Sequence, residues 1–298
     1  METARCKAFL AAAESGSFTL AAERLGYTPS GISQLVNALE DEMGFYLLRR
    51  SNRGVSLTRE GRQLLPVIRS LLHQEERLFQ EAANLQGLNT GHIVISSYFS
   101  MAAYWLPRVI AAFEQKYPGI SIELREGIRT ELVDWLAGSE VDVAFITGGD
   151  DLPFEWRPLA DVPLLALVPP DHPRAGDASF PLSACREESF ILPAFGRDAD
   201  TLRALHQAGV EPQVRYPTVE DYSAMAMVAS GLGVSIMNSL LMTNCPFDLV
   251  QMPLDPPQHL TFGVAVPDWE QASPAVRKFC AYARHMLTGE QYADQLWT

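Results

Sequence analysis

The chain has 298 residues, 47% hydrophobic and 20% charged, which allows two domains with a sizeable core and excludes a disordered or fibrous composition. No apolar run approaches membrane-span length, and the N-terminus METARCKAFL lacks a signal-peptide pattern, so a cytoplasmic protein without a membrane partner is expected. The net charge of −13 is unevenly held: residues 1–90 carry ten basic and ten acidic side chains, leaving the whole acidic surplus to residues 91–298.

A first helix is predicted over 3–15, with Cys6, Phe9, Leu10 and Ala13 inward at i, i+3, i+4 and i+7. Gly16 and Ser17 break it, and Thr19 is expected to cap a second helix ending at Gly26. Thr28 as N-cap and Pro29 at the first helical position open a third. Its two faces differ chemically. Ile32, Leu35, Val36 and Leu39 form a buried stripe, while Ser30, Ser33, Gln34 and Asn37 repeat the same spacing with short hydrogen-bonding groups. A helix start with small polar side chains aimed outward suits reading of the DNA major groove. Downstream, LLRRSNRGVSLTREG sets Arg49, Arg50 and Arg53 around a turn at 51–54, followed by the alternating Val55, Ser56 and Leu57. That pattern reads as a β-wing whose guanidinium groups grip phosphates beside the groove. Because the first 90 residues are neutral, affinity must come from arginine placement and dimerisation, and should be salt-sensitive.

In the segment AAERLGYTPSGISQLVNALEDEMG, the wing LLRRSNRGVSLTREG and the length near 300, the chain resembles the LysR-type transcriptional regulators over essentially its whole extent. The resemblance implies that Thr28, Pro29, Ser30, Ser33, Gln34 and Asn37 contact double-stranded DNA from the recognition helix, and that Arg50 and Arg53 contact its backbone from the wing. It also implies an α+β multidomain fold: a winged helix–turn–helix DNA-binding domain at 1–58, a linker (dimerisation) helix at 59–88, and a two-lobed α/β effector-binding domain of the type II periplasmic-binding-protein kind. Lobe I would comprise 91–161 and 265–298, and lobe II 162–264.

After the wing, Thr58 caps a helical segment reaching about Gln86, with leucines at 64, 71, 78 and 85 and Gly61, Ile68, Glu75 and Ala82 at the other heptad position. This is the spacing of a coiled-coil seam with one charged flaw, Glu75. No adjacent element is available in the sequence to cover so long a stripe, so a partner chain is the expected cover; a dimer, and by resemblance a homotetramer, follows. Pro66 should kink the helix or divide it. Gly87 to Gly91 reads as a hinge.

Strands are then predicted at 92–97, 120–124 and 141–146, with helices at 101–117 and 131–137 between them, the signature of a parallel sheet with crossovers. Residues 163–168 begin a second unit containing a helix at 201–208, and a strand at 260–266 with a helix at 275–287 returns to the first. Ligands in such sheets sit beyond the carboxyl ends of strands. That rule selects Tyr98, Phe99, Ser100 and Met101; Ile128, Arg129 and Thr130; Thr147; Phe195, Gly196 and Arg197; and Val219 and Glu220 as effector-binding residues. Arg129 or Arg197 could clamp a carboxylate and the aromatics could face a ring, so a small or aromatic organic acid is the expected effector class. Glu220 beside Asp221 argues against a purely anionic guest.

No catalytic motif, phosphate-binding loop, dinucleotide fingerprint or metal-ligand spacing occurs, so no enzyme activity, cofactor or metal is expected. The alternatives are a constitutive DNA-binding oligomer without an effector, and an enzyme with a DNA-binding appendage. Some members of the resembled family sense peroxide through a cysteine pair; here Cys6, Cys185, Cys245 and Cys280 are scattered and read as buried, inert thiols.

Overall fold

The computed structural model of the chain describes residues 2–51, 54–149, 152–194 and 199–289; Arg53, Phe195, Gly196 and Arg197 lie outside the described residues. The chain forms two compact units, one of residues 1–90 with 135–141 and the other of residues 91–134 with 142–298, so that the last residues of the helix at 129–137 group with the first unit.

The first unit runs α1 (Thr3–Ser15), α2 (Phe18–Leu25), α3 (Pro29–Met43), β1 (Leu48–Ser51), β2 (Gly54–Leu57) and α4 (Arg59–Leu85). Local chemistry sets these boundaries. Ser17, rather than Thr19, caps α2, its hydroxyl accepting from the backbone N–H of Thr19 at 3.2 Å and Leu20 at 3.4 Å. Thr28 caps α3 by accepting from Gly31 N at 3.1 Å, and α2 and α3 each end on a left-handed glycine, Gly26 and Gly44. Phe9, Cys6 and Ala12 of α1 meet Ile32, Val36 and Leu39 of α3 and Leu47 in one core. Burying each large side chain contributes about 1.5–3 kcal/mol.

Helix α4 corrects the heptad reading. Ile68 is buried and Leu64, Leu65, Leu71 and Leu72 pack against the core of their own domain, so α1 and the wing cover that part of the stripe. Further along, Leu78 is 66% exposed and Leu85 88% exposed, with Phe79 beside them in solvent. The charged flaw also has a local explanation: Glu75 accepts from Thr3 Oγ1 at 2.7 Å and pairs with Lys7 Nζ at 2.8 Å, both on α1. Those hydrogen bonds hold its carboxyl below the usual carboxylate range. Pro66 does not divide the helix, which runs unbroken from Arg59 to Leu85; the missing N–H is tolerated because Leu64, Leu65 and Ile68 anchor the turns around it. Gly61 is required where α4 starts, since a Cβ there would collide with the carbonyl oxygen of Leu47.

The second unit contains β3 (Gly91–Ser97), α5 (Phe99–Tyr104), α6 (Leu106–Lys116), β4 (Ile120–Glu126), α7 (Arg129–Ala137), β5 (Val143–Thr147), β6 (Glu155–Val168), β7 (Phe180–Pro181), β8 (Phe190–Leu192), α8 (Ala199–Gln207), β9 (Val214–Pro217), α9 (Asp221–Ala229), β10 (Ser235–Asn238), β11 (Val250–Asp255), β12 (His259–Val266) and α10 (Pro274–Thr288). The main sheet has the order β4-β3-β5-β12-β6-β11-β7, with β10 also on β6; β8 and β9 form a separate parallel pair. β3 is parallel to β4 and β5, while β12 runs antiparallel between β5 and β6. Strand β6 joins two regions: its first part lies along β12, and its last residues are flanked by β10 and β11.

One core gathers Ile93, Ile95, Phe113, Phe145, Phe262 and Phe279, so β12 and α10 do return to the first three strands. Beyond it, strand alternation divides β6 between two layers. Leu164, Ala166 and Val168 face Phe180, Phe190 and Leu205, whereas Leu167 faces Ile191, Met225 and Val228. Two expectations change. The helix predicted over 101–117 is two helices meeting at Trp105, because Pro107 opens a new first turn and the Trp105 ring packs edge-on against Phe262 at 5.6 Å. The strand predicted from 163 begins at Glu155.

Candidate nucleic-acid interface and ligand cavity

On α3 the apolar and polar faces are separated. Ile32, Val36 and Leu39 are fully buried and Leu35 is half-buried. Thr28, Pro29, Ser30, Gln34 and Asn37 are exposed, and Ser33 is half-buried. The polar face is internally ordered, with Thr28 Oγ1 and Ser30 Oγ 3.0 Å apart. Arg50 is not directed away from the helix as a free wing arginine. Its Nη1 donates to Ser33 Oγ at 2.9 Å, its Nη2 donates to Asn37 Oδ1, and its guanidinium lies 4.8 Å above the Phe18 ring. Aromatic stacking and two acceptors on one helix face outcompete an extended rotamer in water. Arg49, the next residue back, is exposed and has no partner among the described residues.

Sequence reasoning missed Glu40. It is 5% exposed, and its Oε1 accepts from Leu47 N at 2.7 Å and Leu48 N at 2.9 Å, tying the end of α3 to the start of the wing. The signal was present: Ile32, Val36 and Glu40 are spaced i, i+4, i+8, so Glu40 continues the buried stripe.

In the second unit a cavity of about 440 Å³ opens beyond the ends of β3, β4 and β10. It brings together Tyr98, Phe99 and Ser100 after β3, Ile128, Arg129 and Thr130 at the start of α7, and Val219 and Glu220 before α9. Met101 is not part of it; it is fully buried in the core behind. Nor does Thr147 line it. The Thr147 side chain is buried and ties a network instead. Its hydroxyl donates to the Asp200 carboxylate at 2.9 and 3.0 Å, accepts from Arg129 Nη1 at 2.8 Å, and lies 3.2 Å from the Tyr98 hydroxyl. Arg129 Nη1 also donates to the Thr147 carbonyl at 2.9 Å, and Arg203 pairs with Asp200. The network thus joins β5, the loop after β3, α7 and α8. Burial pushes the Tyr98 hydroxyl pKa up and the Asp200 charge adds to the rise, overcoming the opposite pull of Thr147 and Arg129. Asp200, Asn238, Glu126, Glu131 and Asp221 also line the cavity; no local motif distinguishes them in the sequence.

Cys185 is fully buried, and burial with the nearby Glu188 charge pushes its thiol up to about 12. Cys245 is half-buried, its Sγ 3.7 Å from Met225 Sδ. No grouping of three or more metal-ligating side chains occurs among the described residues, and no helix there is long and apolar enough to cross a membrane.

Comparison with known proteins gives two family matches. Residues 4–62 match the bacterial regulatory helix-turn-helix protein, lysR family, and residues 86–288 match the LysR substrate binding domain. The chain is 30% identical over 293 residues to the HTH-type transcriptional regulator YvbU of Bacillus subtilis, covering 97% of this chain and 100% of that one. It is also 30% identical to the HTH-type transcriptional regulator TtuA of Agrobacterium vitis, over 80% of each chain. Among solved structures, a full-length OxyR variant from Pseudomonas aeruginosa matches with TM-score 0.77 at 23% identity, covering 100% of this chain and 99% of that one. Full-length CbnR complexed with its target DNA matches with TM-score 0.65 at 22% identity, covering 96% and 99%.

Proposed function

Because the chain belongs to the LysR family of bacterial DNA-binding transcriptional regulators, we propose that α3 enters the major groove and that a small metabolite in the second unit's cavity controls how paired helices are presented. The observation that carries the reading is the division of α3 into a sealed apolar face and an open face of Thr28, Pro29, Ser30, Ser33, Gln34 and Asn37. In this proposal Gln34 and Asn37 reach base edges and Arg49 and Arg53 meet phosphates. Arg50 holds Ser33 and Asn37 in a fixed arrangement. The domains are taken as 1–58 for DNA binding, 59–88 for the linker, and lobes of 91–161 with 265–298 and of 162–264.

The metabolite would sit among Tyr98, Phe99, Ser100, Ile128, Arg129, Thr130, Val219 and Glu220; Phe195, Gly196 and Arg197 are proposed for the same role from the sequence alone. The Thr147–Asp200 bond joins a strand of the first core to a helix of the second and gives a ligand a two-state contact to bias. The exposed Leu78, Phe79 and Leu85 on α4 support pairing of two copies, and a tetramer of paired dimers in the cytoplasm is the assembly proposed. The test is a double substitution, Ser33→Ala with Gln34→Ala. It should abolish the specific footprint on operator DNA while leaving oligomer mass and melting temperature unchanged; a retained footprint refutes the groove-facing role.

A further inference from the structure

We infer that the ligand of this cavity carries a protonated amine on an apolar body, the opposite polarity to the organic acid that the sequence suggests; the inference rests on the cavity being the ligand site. Three independent features of the wall point this way. Its charge is one-sided. Glu126, Glu131, Asp200, Glu220 and Asp221 line it, against Arg129 as the one basic side chain among the described lining residues. Asp200 is offset by Arg203 and Thr147, and Glu131 Oε2 accepts from Ile128 N at 2.9 Å. Glu126 and Glu220, at the exposed edge, have no side-chain partner among the described residues and remain uncompensated.

The second feature is the orientation of Arg129. A carboxylate clamp needs the guanidinium fork turned toward the guest. Here Nη1 is committed to the Thr147 carbonyl at 2.9 Å and its hydroxyl at 2.8 Å, and an anion would have to compete with both. The backbone N–H of Ile128, just before α7, is already taken by Glu131.

The third feature is the rest of the wall. Tyr98, Phe99 and Phe262 present aromatic rings, and Met237, Leu241 and Leu260 supply apolar surface. Rings accept a cation over their faces as readily as an apolar body. A cavity of about 440 Å³ accommodates a compact aryl- or alkylamine, and a cleft lined by one sign of charge concentrates counter-ions by about 10–1,000-fold.

The test uses the full-length chain with Cys245→Ala, which leaves Cys6, Cys185 and Cys280 buried, and adds Ile128→Cys as a reporter in the cavity. Modification rates are measured with trimethylammonium, neutral and sulfonate methanethiosulfonate reagents, each divided by its rate on 2-mercaptoethanol. The expected result is a preference for the cationic over the anionic reagent of about tenfold or more, reduced severalfold by Glu126→Gln with Glu220→Gln. Equal rates, or an anionic preference, overturn the amine assignment while leaving an accessible cavity. Failure of all three reagents to react overturns the cavity as a ligand site, and the assignment with it. In parallel, 2-phenylethylamine should raise the melting temperature of the unsubstituted protein and 3-phenylpropionate should not; stabilisation by the acid alone, or by neither, overturns the proposal.

Discussion

Replacing Glu40 by alanine tests how the reading helix is held against the wing. The carboxylate is almost wholly buried and is the acceptor for two backbone donors, Leu47 N at 2.7 Å and Leu48 N at 2.9 Å. Glu40→Ala leaves both N–H groups without that acceptor beneath the core residues Leu47 and Leu48, each group costing about 1–3 kcal/mol, and the lost methylenes add a smaller term. Partial rehydration through the space left behind offsets some of this, so about 2–4 kcal/mol of local stability should be lost. Glu40→Gln keeps an oxygen acceptor of the same reach and should cost less than about 1 kcal/mol. Hydrogen exchange by mass spectrometry on the full-length protein resolves the effect at those two amides without requiring a two-state transition. The alanine variant should exchange there about 30–700-fold faster, while the glutamine variant should stay within about fivefold of the parent, since 1.4 kcal/mol is a factor of ten. Unchanged protection in Glu40→Ala would refute the argument, because the two amides would then be held by something other than this carboxylate.

Three further outcomes follow from the same geometry. Leu78→Glu with Leu85→Glu should lower the oligomer mass by light scattering without changing the melting temperature, whereas Leu71→Glu should lower the melting temperature because Leu71 packs on its own domain. Arg49→Ala should reduce the salt dependence of DNA binding by about one unit of slope. Arg50→Ala should leave the slope unchanged and reduce discrimination between operator and random DNA, because its guanidinium is engaged with Ser33 and Asn37; the reverse pattern in titrations at several salt concentrations would contradict both assignments. The unfolded Cys185 thiol ionises near pH 9, but the folded one holds its proton to about 12, so the unfolded chain binds fewer protons between these values. Stability is therefore undiminished by this group below pH 9 and falls as pH rises toward 12; Cys185→Ala should flatten that alkaline decline in melting temperature, and an identical slope would exclude the thiol as its source.

What was legible in the chain depended on how far apart the deciding atoms lie in sequence. The reading helix could be placed to the residue because Thr28, Pro29 and Gly44 act within one turn of its ends, and its faces follow from 3.6-residue periodicity. The first part of β6 was hidden because Pro158, Asp161 and Pro163 interrupt its apolar alternation; what makes it a strand is pairing with β12, about a hundred residues on. The heptad misled for a related reason. Periodicity states that a stripe is covered but not by what, and α1 covers the part that ends near Leu72 while Leu78 and Leu85 remain outside.

The same distinction decides the cavity. The loops after β3, at the start of α7 and before α9 follow from a rule about strand ends, yet whether Arg129 is available to a ligand depends on Thr147, eighteen residues away, and on Asp200, seventy-one residues away. Arg129 Nη1 is bound to a strand-end carbonyl and a threonine hydroxyl, in a wall where Glu126 and Glu220 have no side-chain partner among the described residues. That several expected residues meet around one cavity was therefore readable from topology, whereas the charge of its wall was not, because the net field in a cleft is the sum of groups that only the fold brings together.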